Sequence, residues 1–425
     1  MTSATGSEGR KDGPHQAFVA LRHPGYRFYL GGSMMAMMAD SIEHVISYWM
    51  VFQKFHSPAL GGFAVISHWV PFLFLSVWSG ALADRFDPRR IIQWAMAMFM
   101  LASLAWGFLF VTDRLEVWHA VVILTIHGFA GVLWNPSSQL LIHDIAGREN
   151  LQSAVRLMSM SRTLGQLAGP AVGGFILLAF GPAHGILINV LFYAPLLLWL
   201  WKAPYGPRFR KDQTPRARPI SGFADIIVTV REMMGNHVLA SMTVVAGVTS
   251  FLVGNAYQAQ MPEFAQDLGH GEAGAYYSML LAANAAGALT GGILLESFGL
   301  LQARAKAAFI LVILWCLCIA GFAASSIYLL SVALMFVAGF VNLAFSSMSQ
   351  TLVQLNAPDR SRGRMIGIYN MSSNGMKAFS GITVGMAGSL VGIHWSLALS
   401  AGALLLVAVW LLSLYGREPR VQAAE

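Results

Sequence analysis

Twelve apolar runs divide this chain, and each is long enough to leave water. A helix crossing a hydrocarbon core needs about 20 predominantly apolar residues. Runs of that kind lie at 27–53, 59–83, 91–112, 117–142, 151–180 and 184–203, and again at 238–264, 273–298, 304–324, 327–355, 363–391 and 395–415. In hydrocarbon every backbone amide and carbonyl must be satisfied within the segment, as a helix does and an open strand does not. The runs therefore predict an all-α membrane protein with twelve transmembrane helices. The charge content agrees: 11% of the 425 residues are charged and 56% are hydrophobic, whereas a soluble domain carries about 25% charged residues. A large core does not explain the deficit, because a soluble fold of this size still covers a wide surface with water. Cys316 and Cys318 lie two apart in one apolar run and so point to different sides of a helix, which speaks against a disulfide or a zinc site.

The cations fall on one side of this array. Arg10, Lys11, Arg22 and Arg27 precede the first run, Arg85, Arg89 and Arg90 follow the second, and Arg148 follows the fourth. The break after the sixth run carries Lys202, Arg208, Arg210, Lys211, Arg216 and Arg218, and Arg231, Arg304, Lys306, Arg360, Arg362, Arg364, Arg417 and Arg420 continue the series. The opposite loops hold only Lys54 and Arg114. Positive loops stay in the cytoplasm, so the pattern predicts a multi-pass protein of the cytoplasmic (inner) membrane with both termini and the central linker inside. The net charge of +7 is thereby a topology signal, and no nucleic-acid partner is expected. The first 20 residues are polar and read as a cytoplasmic tail, with no cleavable signal peptide. Pro204, Pro207, Pro215 and Pro219 make the stretch after Ala203 a linker. Ile226, Ile227, Val230, Met233 and Met234 then give Phe223 to Met234 the spacing of a helix lying on a membrane surface. The expected organisation is a tail over 1–24, a six-helix bundle over 25–203, a linker over 204–236, a second six-helix bundle over 237–416 and a tail over 417–425. A lipid-embedded monomer with a small-molecule substrate is the expected assembly.

The turn between the second and third runs reads Gly80-Ala81-Leu82-Ala83-Asp84-Arg85-Phe86-Asp87-Pro88-Arg89-Arg90-Ile91. It resembles the loop between helices 2 and 3 of the major facilitator superfamily, G-x-L-A-D-R-x-G-R-[RK], with Asp87 and Pro88 in place of the family's second Gly and the following Arg. The two halves also echo each other: His143 to Asn150 joins the fourth and fifth runs, Ala357 to Arg364 joins the tenth and eleventh, and Gly292, Glu296, Arg304 and Lys306 form a weaker copy of the first loop. The resemblance implies two pseudo-symmetric six-helix bundles that alternate in opening. It implies a cytoplasmic gate in which Asp84 sits at the N-terminus of the eleventh helix near Gly363, with Gly80, Arg85, Arg89, Arg90, Asp144, Arg148 and Glu149 around it. Gly165, Gly169, Pro170, Gly173 and Gly174 resemble the superfamily's antiporter motif, found mainly in exporters, although its earlier glycine is here Arg156. Without that resemblance, the glycines make an ordinary small-residue packing face. The loops and the run Gly147 to Asn150 look most like the branch containing enterobactin-type siderophore exporters and macrolide efflux pumps.

Polar groups inside the runs point to a function. Asp40, Glu43 and His44 share one face of the first helix near its middle. A charge at mid-bilayer costs roughly 2.5–3.5 kcal/mol, so these three face a wet cavity and not lipid. Two carboxylates and an imidazole on one stripe suit a proton carrier, or a network that only fastens helices. His68, His127, Arg162, Asn255, Gln258, Asn284, Asn370, Asn374 and Lys377 are further mid-span polar groups, expected as candidates to converge on the same cavity. Arg162 and Lys377, from corresponding helices of the two halves, each need an anion, and Asp40 or Glu43 is the candidate for at least one of them. His127 stands four residues before Gly131, in a helix where proton antiporters of this superfamily often carry an arginine. The expected function is a proton-coupled exporter of a small amphipathic molecule, a drug or siderophore, with protons as coupling ion and no cofactor. Asp40 and His44 are also an i, i+4 metal half-site that resembles the first-helix pair of ferroportin-type iron exporters, making divalent-metal export an alternative. A lysophospholipid flippase and a non-transporting receptor or scaffold are the others, the last disfavoured because a scaffold gains nothing from buried charge. An enzyme is not expected: the chain has no HExxH, zinc-ligand spacing, nucleophile motif or phosphate loop.

Overall fold

A computed structural model describes residues 17–55, 58–209, 223–254, 256–259, 261–268, 273–299 and 301–417, and every structural statement here concerns those residues. The first half consists of α1 (Pro24–Phe55), α2 (Pro58–Arg85), α3 (Pro88–Val111) and α4 (Val117–Lys202). α4 is three rods, because Gly147 (φ 71°, ψ 168°) and Gly181 (φ 74°, ψ 169°) leave helical geometry. Positive φ is inexpensive only for glycine, so these two residues decide where the chain turns back. α5 (Phe223–Met234) and α6 (His237–Leu252) meet at a bend of 108°. The Asn236 side chain starts α6 by accepting from the Val238 and Leu239 amides at 3.0 and 3.1 Å. Short α7 (Ala256–Ala259) and α8 (Met261–Asp267) continue that pass. There follow α9 (Ala273–Phe298), α10 (Ala305–Ala324), α11 (Tyr328–Asn356), the broken run α12 (Arg362–Asn370), α13 (Lys377–Ser380) and α14 (Ala387–Val391), and finally α15 (Ile393–Arg417).

Six of the described helices are long and apolar enough to cross a membrane, or up to seven with the bent α5–α6 pair. The remaining passes of the two six-helix bundles come from the division of α4 at its two glycines and from α1, α2 and the broken run α12 to α14. Polar residues of these helices build the interior sites. Between α12 and α13 the chain widens by one residue per turn, so that the Met376 amide bonds the Met371 carbonyl five residues back at 3.2 Å. Such widening recurs at functional sites because it redirects the side chains around it.

The antiporter-like glycines have a definite packing role. A β-carbon on Gly165 would meet the Met34 carbonyl and Met37, one on Gly169 would meet Ser41 and the Met38 carbonyl, and one on Gly173 would meet Ile42. These three residues let the middle rod of α4 lie directly on α1, next to Asp40, Glu43 and His44. Gly174 faces open space, with nothing within 4 Å of such a carbon. Pro170 is exposed inside the rod, and helical geometry continues through it.

The halves close on each other at the face bearing the basic loops. Asp84 accepts from the Gly363 amide at 2.6 Å and the Arg364 amide at 3.0 Å, at the N-terminus of α12. The amides there are unused by the helix and the dipole favours an anion. The approach needs glycine on both sides, since a β-carbon on Gly80 would strike the Gly363 carbonyl and one on Gly363 would strike the Gly80 carbonyl. A second contact is related by the internal repeat. Arg156, from the middle rod of α4, donates to Glu296 of α9 at 3.1 Å and to the Leu295 and Leu301 carbonyls at 2.5 and 3.3 Å. Ser153 also donates to Glu296, and Gln152 to the Leu301 carbonyl at 2.6 Å. The residue that departs from the antiporter pattern is thus one partner of an ion pair between the halves.

Not every basic residue of that face reaches across. Asp87 caps α3 through the Arg89 amide and grips the Arg89 guanidinium, with Nη2 to Oδ2 at 2.6 Å. Arg89 also donates to the Ala203 carbonyl and lies 4.9 Å from the Phe209 ring centre, so it fastens the end of its own half. Arg85 and Arg90 are exposed, Arg85 beside Phe86 and Arg90 bonded to Gln93 at 3.0 Å. Arg148 and Glu149 are also exposed and Asp144 is half-buried. On the other side of the interface, the Arg362 guanidinium binds Asp359 and lies 3.4 Å from the His143 ring.

Two tests follow from the packing. Gly169→Val is expected to destabilise the protein by about 1–3 kcal/mol, measured as a lower unfolding temperature in detergent, whereas Gly174→Ala is expected to be neutral or slightly stabilising. Equal effects would refute the contact with α1. Arg156→Ala is expected to cost about 3–5 kcal/mol by stranding a buried carboxylate, with much of the loss recovered in the Arg156→Ala/Glu296→Ala double variant. A double variant as unstable as the sum of its singles would show that the pair does not act as one unit.

Candidate functional site

The first-helix polar stripe is tied down by a histidine from another helix. His127, in the first rod of α4, stands between the two acids: its Nε2 is 2.8 Å from Asp40 Oδ1 and its Nδ1 is 2.9 Å from Glu43 Oε1. Both hydrogen bonds need a proton between the partners. Either an imidazolium lies between two carboxylates, or a neutral ring donates to one and accepts from a carboxylic acid. The trio carries one net negative charge in both cases, and the two descriptions differ only in the position of a proton. Glu43 is 3% exposed and also accepts from Ser103 of α3 at 2.5 Å. Asn189, in the third rod of α4, donates to Ser103 at 3.3 Å and to the Ala39 carbonyl at 2.9 Å. Glu43 is therefore the anchored end of the trio. Asp40 is the end with looser neighbours.

Two more histidines adjoin the trio. His44 donates from Nδ1 to the Asp40 carbonyl at 2.7 Å, and its ring stands edge-on to His127 at 4.8 Å and to His68 at 5.2 Å. His68, from α2, has a buried Nδ1 with no hydrogen-bond partner. One ring nitrogen from each of His44, His68 and His127 lies within 4.8 Å of the others. That geometry suits either a proton path or a transition-metal ion. The i, i+4 pairing read from the sequence is loose here, with His44 Nδ1 3.7 Å from Asp40 Oδ2 and turned toward the carbonyl. For a metal, His127 would have to give up a carboxylate hydrogen bond.

The expected pairing of Arg162 and Lys377 with the first-helix acids does not occur. His127 occupies both carboxylates, and neither cation has a carboxylate partner among the described residues. Arg162 lies 5.9 Å from the Trp134 ring centre, makes one long bond to Ser138 at 3.4 Å, and leaves its buried Nε unpartnered. Lys377 donates to Asn374 at 3.2 Å and sits 4.8 Å from the Trp69 ring centre. Both line a cavity of about 290 Å³ that is walled by the two halves. Gln139 of the first half and Asn370 of the second also line it and bond each other at 3.0 Å.

The sequence reading placed other residues at this cavity that lie elsewhere. Asn284 donates to the Met335 carbonyl at 3.2 Å and fastens α9 to α11. Gln258 contacts the Tyr257 hydroxyl at 3.4 Å. Asn255 lies outside the described residues. The sequence reading missed Ser103, Asn189 and the cavity amides Asn135 and Gln139. Short polar residues in apolar helices are common, and only the three-dimensional arrangement marks these. Glu296 and Arg156 carried a weak signal in the internal repeat.

Comparisons with known proteins agree with this architecture. The family model of transmembrane secretion effectors matches residues 15–425. The enterobactin exporter EntS of Shigella boydii serotype 4 is 24% identical over 406 residues, covering 92% of this chain and 91% of that protein. The EntS of Salmonella typhi is 23% identical over 352 residues and 79% of both chains. The staphyloferrin A transporter of Staphylococcus aureus is 22% identical over 176 residues, so the match spans 41% of this chain and 44% of that protein. The crystal structures of the human organic anion transporter MFSD10 and of the E. coli fucose:proton symporter FucP share the fold. Each has a TM-score of 0.70, with 12% and 10% identity, and they cover 93% and 95% of this chain and 99% and 100% of theirs. The chain belongs to the transmembrane secretion effector family and is a multi-pass transporter of the major facilitator superfamily, not an enzyme.

Proposed function

We propose that this protein is a proton-coupled exporter of a small, siderophore-like molecule, working by alternating access across the cytoplasmic membrane with both termini inside. The observation that carries the proposal is His127 held between Asp40 and Glu43 at 2.8 and 2.9 Å, in one half of the molecule and away from the cavity lining. A transporter driven by protons needs a group that gains and loses one proton without leaving an unpaired charge in hydrocarbon. The trio meets that need, because one added proton makes Asp40 a carboxylic acid and brings the net charge from −1 to zero while both ring nitrogens still donate to carboxyl oxygens. His44 and His68 extend the path by two ring nitrogens.

Coupling to movement would run through α1. The glycine contacts press α1 onto the middle rod of α4, and that rod carries both Arg162 in the cavity and Arg156 at the closing face. A change of proton on Asp40 would therefore be felt by the helix that contributes to cargo binding and to closure. Closure itself rests on Asp84 and on the Arg156–Glu296 pair. The names of two relatives matched over most of this chain, the enterobactin exporters EntS of Salmonella typhi and Shigella boydii, support the direction of transport and the siderophore class.

In proteoliposomes preloaded with enterobactin, Asp40→Asn is expected to slow efflux driven by a pH gradient about tenfold or more, while exchange of internal for external enterobactin continues, because only the energy coupling depends on the removed charge. Unchanged gradient-driven efflux in both Asp40→Asn and Glu43→Gln would overturn the proton path.

A second reading rests on the three clustered ring nitrogens: a divalent transition metal is bound there as cargo. Calorimetry of the purified protein with Co²⁺ or Zn²⁺ decides it. This reading requires saturable heat that disappears in His44→Ala and His68→Ala, and it falls if there is no heat or if the heat survives both changes.

A further inference from the structure

We infer that the cavity between the halves is an anion site, which takes an oxygen-rich acid carrying at least two separated oxyanion groups, one against Arg162 and one against Lys377. The inference builds on the transport reading by fixing the charge of the cargo. Its first support is the lining. Arg162 and Lys377 are both present, Asn135, Gln139, Asn370 and Asn374 supply amides, and among the described residues no aspartate or glutamate takes part. A site for a cationic or neutral amphipath would be expected to show the opposite balance, with a carboxylate or a wholly apolar wall.

The second support is the state of the two cations. A buried guanidinium offers five N–H donors. Arg162 uses one of them in a bond of 3.4 Å, and its Nε is buried with no partner at all. Lys377 offers three donors and has one bond, to Asn374 at 3.2 Å. Trp134 and Trp69 present aromatic rings to the two cations at 5.9 and 4.8 Å. Aromatic faces orient a cation and attract it weakly, but they do not neutralise it. The nearest candidate acids, Asp40 and Glu43, are occupied by His127. The donors left over in the cavity therefore match the oxygens of a bound carboxylate or catecholate, and bidentate pairing is the geometry a guanidinium favours.

The third support is the placement of the charges. Arg162 belongs to the first half and Lys377 to the second. A ligand with two oxyanions would neutralise both at once and bridge the halves, as Gln139 and Asn370 already do on a smaller scale at 3.0 Å. Such a ligand would bind more tightly when the two cations are close together, and differential affinity of that kind is what lets a cargo shift a conformational equilibrium. A molecule with one anionic group would bind one half and shift the equilibrium less.

The two tryptophans make the test direct. The full-length protein in nanodiscs is titrated with citrate, with 2,3-dihydroxybenzoate and with the lipophilic cation tetraphenylphosphonium, following tryptophan fluorescence. Saturable change with citrate, whose carboxylates are separated, is expected, with a weaker change for 2,3-dihydroxybenzoate, which carries one carboxylate beside un-ionised phenols at neutral pH, and no saturable change for the cation. Arg162→Gln and Lys377→Gln are each expected to weaken anion binding about tenfold or more, while Lys377→Arg keeps most of it and Arg162→Lys, which retains the charge but not the bidentate fork, loses less than Arg162→Gln, both serving as folding controls. The inference is overturned if tetraphenylphosphonium binds as well as the anions, if neither anion binds, or if the neutral variants retain wild-type affinity. The assay has no membrane gradient, so its outcome is separate from that of the efflux experiment. Anion binding without enterobactin efflux would leave the site standing and remove the transport reading.

Discussion

Hydrocarbon offers no hydrogen bonds, and this constraint governs the rest of the molecule. Each polar group in the described helices must be matched inside the protein or turned toward a cavity. The consequence is most visible around Asp40 and Glu43. Two carboxylates on one helix would repel each other and resist burial, yet Glu43 is 3% exposed. His127 resolves the conflict by bonding both, and Ser103 and Asn189 complete the shell around Glu43. The acids are thereby withdrawn from the cations that the sequence offered them as partners.

That withdrawal separates two roles. The negative trio lies inside the first half, while Arg162 and Lys377 face each other's halves across the cavity. Had the acids paired with the cations, proton binding and cargo binding would compete at one place. With His127 between the acids, a proton can shift in one site while an anionic ligand occupies the other, and the shared rod of α4 can connect them. The glycines at 165, 169 and 173 allow this connection because they remove the side chains that would hold α1 away.

The closing face shows how one repeat can be implemented by two chemistries. Asp84 uses backbone amides at a helix N-terminus, which a glycine at 363 makes accessible. Its counterpart Glu296 uses the guanidinium of Arg156 instead. An acid meets donors from the opposite half in both cases, so the polarity of the contact is preserved while the donor changes. The arginine at 156 is incompatible with the glycine of the antiporter pattern, and the ion pair supplies a physical reason for the departure. The Asp87-Pro88 departure in the first loop has one as well: proline at the first turn of α3 needs no amide partner, and Asp87 both caps that helix and holds Arg89.

The sequence determined the all-α class, the twelve passes, the loops that meet at the closing face and the identity of the first-helix acids, while the runs 238–264 and 363–391 are each broken into shorter helices. Those properties are written locally, since hydropathy, cation placement and glycine spacing need no knowledge of neighbours. Gly147 and Gly181 are of the same kind, because a positive φ is a property of the residue itself. Only the tertiary structure decided which charge meets which. Asp40 and Glu43 had His44, His68, Arg162 and Lys377 as other mid-span candidates, and helix packing selected His127. The same packing left Arg162 and Lys377 without carboxylates, moved Asn284 away from the cavity and gave Glu296 to Arg156. A buried charge takes whichever partner the packing of the helices brings within hydrogen-bond distance, and that partner lies up to 280 positions away along the chain.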